Sequence, residues 1–142
     1  MEEQLKPFLG RWNLVRSENF EEFLKEMGFN PFFRKMAALS SPANEIKLEG
    51  STLILSILTK FYTNVQKIRL NEEYEDVSEK IKYKFSTKFE NGRFTIHMVP
   101  VDPNGKGKVQ TVHRELINDE LIMTIHVSDV TCVRAYVREK TS

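Results

Sequence analysis

At 142 residues, 40% hydrophobic and 29% charged, the chain has the size and composition of one soluble domain with a single core. A net charge of +1 excludes a broad surface for neutralising phosphates, so nucleic acid is not an expected partner. Cys132 is the only cysteine, which rules out an intramolecular disulfide and a thiolate metal cluster and fits a reducing compartment.

The first residues, Met1-Glu2-Glu3-Gln4-Leu5-Lys6-Pro7, carry two acids and lack the apolar run of a secretory signal, and no later stretch approaches a membrane span. A cytoplasmic location is expected, although a secreted form from which an upstream signal had been removed would start in the same way. A short strand around Trp12 and Leu14 opens the fold. Phe20, Phe23, Leu24 and Met27 then follow the i, i+3, i+4, i+7 spacing of one helix face. Asn19 is placed to cap this helix, with Glu22 completing a capping box and Gly28 supplying the stop. A second helix starts at Asn30-Pro31, carries the apolar stripe Phe32, Met36 and Leu39, and ends before Pro42. The two form a helical hairpin over about residues 19–41.

From Glu45 onward the period changes to two, in short runs separated by turn signals such as Glu49-Gly50, Asn91-Gly92 and Asn118-Asp119. Ile81, Tyr83, Phe85, Thr87 and Phe89 alternate with Lys82, Lys84, Ser86 and Lys88, giving one apolar and one solvated face. Leu121, Met123, Ile125 and Val127 repeat the pattern. With the opening strand these runs make about ten, the pattern of an all-β, antiparallel up-and-down barrel spanning residues 1–142 as one domain. A barrel of that strand number is too wide for side chains to fill, so an internal cavity is expected, with the hairpin as its lid.

In the closing run from Val130 to Val137, alternation places Arg134 and Tyr136 on one face, and Arg114 stands between Val112 and Leu116 on its own face. A guanidinium among apolar neighbours costs several kcal/mol unless an anion joins it, which points to a carboxylate clamp. Alternation alone also allows the opposite arrangement, with Val133, Ala135 and Val137 inward.

The stretch Gly10-Arg11-Trp12-Asn13-Leu14-Val15-Arg16-Ser17-Glu18-Asn19-Phe20-Glu21-Glu22-Phe23-Leu24 resembles the N-terminal signature of the intracellular lipid-binding proteins, the fatty-acid-binding and cellular retinoid-binding proteins. Arg114-Glu115-Leu116 through Cys132-Val133-Arg134-Ala135-Tyr136 is similar to their C-terminal anion motif at the same spacing. The resemblance covers nearly the whole chain and favours the inward orientation. It implies a clam of two orthogonal sheets under a helix-turn-helix lid, holding one long-chain fatty acid. Its carboxylate would lie on Arg134 and Tyr136, with Arg114 reaching it mainly through water.

Family lining positions fall on Phe20, Met27, Phe33, Met36, Ala37 and Pro42 in and after the lid, and on Thr59, Met98, Met123 and Ile125 in the barrel. Phe61 matches the aromatic that gates the portal, and a closed barrel would leave a ligand no other entrance. Met98 replaces what is often a polar glutamine, which implies a drier cavity near the anion site, and the loop from Asp102 to Lys108 is longer than in common vertebrate members. Lys25, Arg34 and Lys35 align with a basic nuclear-import patch of some members and equally fit a patch that steers the lid toward anionic membranes.

His97, His113 and His126 are far apart in sequence and alternate away from the inward residues, so neither a metal site nor a catalytic constellation is expected. Cys132 reads as a buried structural thiol, and Lys82, Lys84 and Lys88 as a solvated strand face. The expected function is that of a monomeric, non-enzymatic carrier without cofactor, delivering a fatty acid to membranes, enzymes or nuclear receptors in cytoplasm or nucleus. Carriage of retinoic acid or another amphipathic carboxylate is the alternative, ahead of a lipid isomerase or synthase and a secreted scavenger.

Overall fold

The computed structural model describes residues 2–60, 62–102 and 104–140. Ten antiparallel strands form one sheet: β1 (Gly10–Glu18), β2 (Ala43–Glu49), β3 (Thr52–Leu58), β4 (Thr63–Arg69), β5 (Glu73–Ser78), β6 (Ile81–Glu90), β7 (Arg93–Pro100), β8 (Gln110–Ile117), β9 (Glu120–Val127) and β10 (Val130–Arg138). Strands consecutive in sequence pair with one another except β4 and β5, and β1 also pairs with β10, so the sheet curls into a nearly closed barrel.

The expected closure is incomplete. The strand order runs from β4 round to β5, and these two end strands are not paired with each other. Side chains bridge the seam instead: Gln66 Nε2 donates to Asp76 Oδ2 at 3.5 Å, the Arg69 amide donates to the Tyr74 hydroxyl at 3.2 Å, and the Tyr62 hydroxyl donates to Glu79. Both edge strands carry charged, exposed residues, Lys67 and Arg69 on β4 and Glu73, Glu75 and Asp76 on β5, which suits an edge that must not recruit another strand.

Two short elements precede β1 that the sequence pattern did not reveal: α1 (Glu2–Leu5) and a 3-10 turn (Lys6–Phe8). They plug one end of the barrel. Leu5 and Phe8 are each 2% exposed, Trp12 Nε1 donates to the Phe8 carbonyl at 2.9 Å, and Arg138 donates to the Leu9 and Pro7 carbonyls at 2.7 and 2.6 Å. The Arg138 guanidinium also stacks 4.3 Å from the Trp12 ring centre. Phe94 is fully buried and lies 5.4 Å, edge to face, from Phe8, so the plug is packed into the core and not merely laid against it.

The lid consists of α2 (Phe20–Glu26) and α3 (Pro31–Leu39). Asn30 caps α3 as expected, its side chain accepting from the Phe33 amide at 2.8 Å. Asn19 does not cap α2. Its backbone is left-handed (φ 60°), which turns the side chain away from the helix, and Nδ2 instead donates to the Thr131 carbonyl at 3.0 Å, fastening the lid to β10. At its other end α2 is tied to the long β7–β8 connection by a 2.7 Å ion pair between Glu26 and Lys108. The stripe Phe32, Met36 and Leu39 does not pack inward: Phe32 is 74% and Leu39 87% exposed, and α3 has no buried residue.

On the outer wall Lys82, Lys84 and Lys88 are exposed and paired with Glu75, Glu73 and Glu90, as a solvated strand face requires. The inner wall carries the core, from Leu53 and Ile68 through Tyr83, Phe85 and Phe94 to Leu121, Ile125 and Val127.

Candidate ligand cavity

Strand register assembles the site. Arg114 on β8 and Arg134 on β10 both face Met123 on β9, and on its other side Arg134 faces Ser17 of β1. Arg114 and Arg134 therefore lie on one cross-strand row, two strand spacings or about 10 Å apart at the backbone. Tyr136 is on the adjacent row, opposite Leu121 and Leu14. A bulge at Val15 adds one residue to β1 between the Leu14 and Arg16 pairings, which re-phases the strand so that Ser17 meets Arg134.

Arg134 is 3%, Tyr136 2% and Arg114 7% exposed, so all three side chains point into the barrel and the outward alternative is excluded. Neither guanidinium has an ion-pair partner among the described residues. Arg134 Nη1 is buried with no hydrogen-bond partner there either. Aromatic faces give partial support: Phe20 of α2 lies 3.6 Å from the Arg134 guanidinium carbon, and Phe94 lies 5.6 Å from that of Arg114. Burial pulls Arg114 down to about 10, opposed in part by Tyr136, and this still leaves it charged at neutral pH. Two buried guanidiniums, one with an unpartnered donor among the described residues, form an arrangement whose charge and hydrogen-bonding capacity an anion can satisfy.

A cavity of about 370 Å³ reaches Arg134 between α2, the end of α3 and β1, lined by Leu14, Ser17, Phe20, Ala37 and Ser40 among others. Of the other lining positions inferred from sequence, Met98, Met123, Ile125 and Pro42 are buried and Met27 half-buried. Phe33 and Met36 are instead 39% and 37% exposed on the lid, because α3 stands off from the barrel. Thr59 lies in the turn after β3, where its hydroxyl donates to the Tyr62 carbonyl at 2.9 Å. Phe61 lies outside the described residues.

In the basic set, Lys25 and Lys35 are exposed, whereas Arg34 is half-buried and donates to the Phe29 carbonyl at 2.7 Å. The histidines occupy the outer wall, each hydrogen-bonded through Nδ1 to a threonine: His97 to Thr111, His113 to Thr95 and His126 to Thr131. Distance in sequence misled on one point, since pairing of β8 with β9 brings the His113 and His126 rings to 5.5 Å. No group of three or more metal-ligating side chains occurs among the described residues. Cys132 is fully buried, and desolvation pushes its thiol up to about 11, which keeps it protonated and un-nucleophilic at neutral pH.

A lidded antiparallel barrel with two buried arginines facing its interior defines a class of protein that encloses a small amphiphilic molecule. The family comparison agrees: the model for the lipocalin / cytosolic fatty-acid binding protein family matches residues 9–139, and the chain belongs to that family. Fatty acid-binding protein homolog 8 of Caenorhabditis elegans is 38% identical over 136 residues, covering 95% of this chain and 98% of that protein. Cellular retinoic acid-binding protein 2 of mouse is 40% identical over 136 residues, covering 93% and 98%. The crystal structure of apo lipid binding protein 8 of Caenorhabditis elegans superposes with a TM-score of 0.87 at 36% identity, covering 95% of this chain and 97% of that one.

Proposed function

We propose that this protein is a non-enzymatic carrier that holds a long-chain fatty acid inside the barrel, its carboxylate on Arg134 and Tyr136 with Arg114 adding charge at longer range. The observation that carries this reading is the pair of buried guanidiniums without an anionic partner among the described residues. A carboxylate supplies the missing charge and occupies the idle Nη1 donor, while the apolar wall beyond Met123 and Ile125 accepts the alkyl chain. No catalytic role is assigned, because the thiol is protonated and the histidines face outward. The direct test is calorimetric titration of the delipidated protein with palmitic acid and with hexadecanol. Tight 1:1 binding of the acid and much weaker binding of the alcohol is the expected result, and equal binding of the two would refute the charge-based reading.

Retinoic acid is a second reading, favoured by the 40% identity to a cellular retinoic acid-binding protein. The same cations would serve, and the wall shape decides. Competition between retinoic acid and palmitic acid for the same protein separates the two.

Delivery follows from the lid. Phe32 and Leu39 stand exposed on α3 with Lys25 and Lys35 exposed nearby in the sequence of the hairpin, the composition of a surface that meets an anionic bilayer in transient contact. Changing Phe32 and Leu39 together to serine should slow fatty-acid transfer to anionic vesicles several-fold with equilibrium affinity unchanged. Changing Lys25 and Lys35 to alanine should remove the salt dependence of that transfer. Unaltered transfer in both would leave α3 without a docking role. Nuclear accumulation through Lys25, Arg34 and Lys35 and handover to a nuclear receptor fit a monomeric cytosolic carrier, and loss of ligand-dependent nuclear import in the triple alanine variant is the corresponding readout.

A further inference from the structure

Two buried side-chain nitrogens lack a hydrogen-bond partner among the described residues: Arg134 Nη1, in the proposed carboxylate site, and Asn44 Nδ2, which that site does not use. Asn44 is 3% exposed. On β2 the charged residues Glu45, Lys47 and Glu49 face out, with Glu45 and Lys47 paired at 3.4 Å, so Asn44, Ile46 and Leu48 face in. Across the sheet Asn44 is flanked by Trp12 on β1 and Ile57 on β3. Ile57 offers no polar atom, and the Trp12 N–H is already given to the Phe8 carbonyl. Asn64 faces Ile57 from β4, two strands or about 10 Å away, beyond direct reach. An amide therefore stands in an apolar stretch of the inner wall, bearing the full desolvation cost of an unmade hydrogen bond where leucine would fill a similar volume without it.

We propose that Asn44 is a second polar anchor of the barrel, for an oxygen in the middle of the ligand chain, which makes hydroxy and keto fatty acids the favoured ligand class. This rests on the reading of the cavity as a fatty-acid site. Its position fits a mid-chain group: Asn44 faces Trp12 whereas Arg134 faces Ser17, so the two lie two strands apart and about 14 Å apart along β1. With the carboxylate at Arg134, the head of the ligand is too far from Asn44 and its middle is within reach. The amide donates to a ketone, and either donates to or accepts from a hydroxyl, whereas a plain alkyl chain covers it and leaves it bare.

The test is calorimetry of stearic acid and its mid-chain keto and hydroxy derivatives with the wild-type protein and with Asn44→Leu. The wild type should bind the oxygenated acids at least about fivefold more tightly than stearic acid, as one added neutral hydrogen bond gives. Asn44→Leu should lose that preference, hold stearic acid within about twofold, and melt about 2–4 °C higher without ligand as the orphan amide disappears. Should leucine not fold, Asn44→Val supplies the same contrast. Stearic acid bound without any preference for the oxygenated acids, or a preference that survives in the variant, overturns the anchor and leaves the carrier reading intact. Failure of all three acids to bind the wild type overturns both.

Discussion

Arg134→Gln is expected to weaken binding of a long-chain fatty acid by about 1.5–3 kcal/mol, roughly ten- to hundredfold, the range for losing a charge-assisted hydrogen bond. Glutamine keeps a polar group of similar reach but removes the charge and one arm of the guanidinium fork. The fatty alcohol of the same length should lose far less. Unliganded Arg134→Gln should not melt lower than the wild type, because the guanidinium it replaces is buried with an unpartnered Nη1 and lies on the face of Phe20 at 3.6 Å. Calorimetry on acid and alcohol, with thermal melts of both unliganded proteins, checks this. Equal losses for the two ligands, or a large drop in melting temperature, would mark Arg134 as a packing residue.

Much of this site was legible before any coordinates, for a physical reason. In a strand the side-chain period is two, so Arg134 with Tyr136, and Leu121 with Met123, Ile125 and Val127, declare a shared face from spacing alone. The strand count followed from the same period and the turn residues. What alternation does not encode is which neighbour a strand pairs with, and the gap between β4 and β5 arises at that level. Nor does periodicity say how closely an amphipathic helix approaches its support: α3 has a proper stripe, yet Phe32 and Leu39 remain in solvent. Asn19 had the right residue type for a cap but a backbone of the wrong hand, a choice made by the tie to Thr131 across the fold. Asn44 was readable in part, since Asn44, Ile46 and Leu48 alternate with three charged residues, but its lack of a partner emerges only when β1 and β3 are placed beside it.

The largest effect on stability is expected at Phe94, where the core, the N-terminal plug and the cationic row meet. Phe94 is fully buried on β7 between Phe89 and Arg114, packs edge-on against Phe8 at 5.4 Å, and lies 5.6 Å from the Arg114 guanidinium carbon. Phe94→Ala removes a whole ring from a site whose neighbours are held by the sheet on both sides, so little collapse can fill the void, and the cost should be about 3–5 kcal/mol. The loss has two further consequences that a simple cavity elsewhere in the core would not produce. The plug formed by Leu5 and Phe8 loses its ring partner on β7, so amides near the Trp12–Phe8 hydrogen bond should exchange faster than those of β9 and β10. Arg114 loses its aromatic face while remaining buried without an ion-pair partner among the described residues, so a bound fatty acid should restore a larger share of stability to the variant than it adds to the wild type. Chemical denaturation with and without fatty acid, combined with hydrogen exchange, measures all three, and a cost below about 1 kcal/mol with uniform exchange would show that neither the plug nor Arg114 depends on this ring.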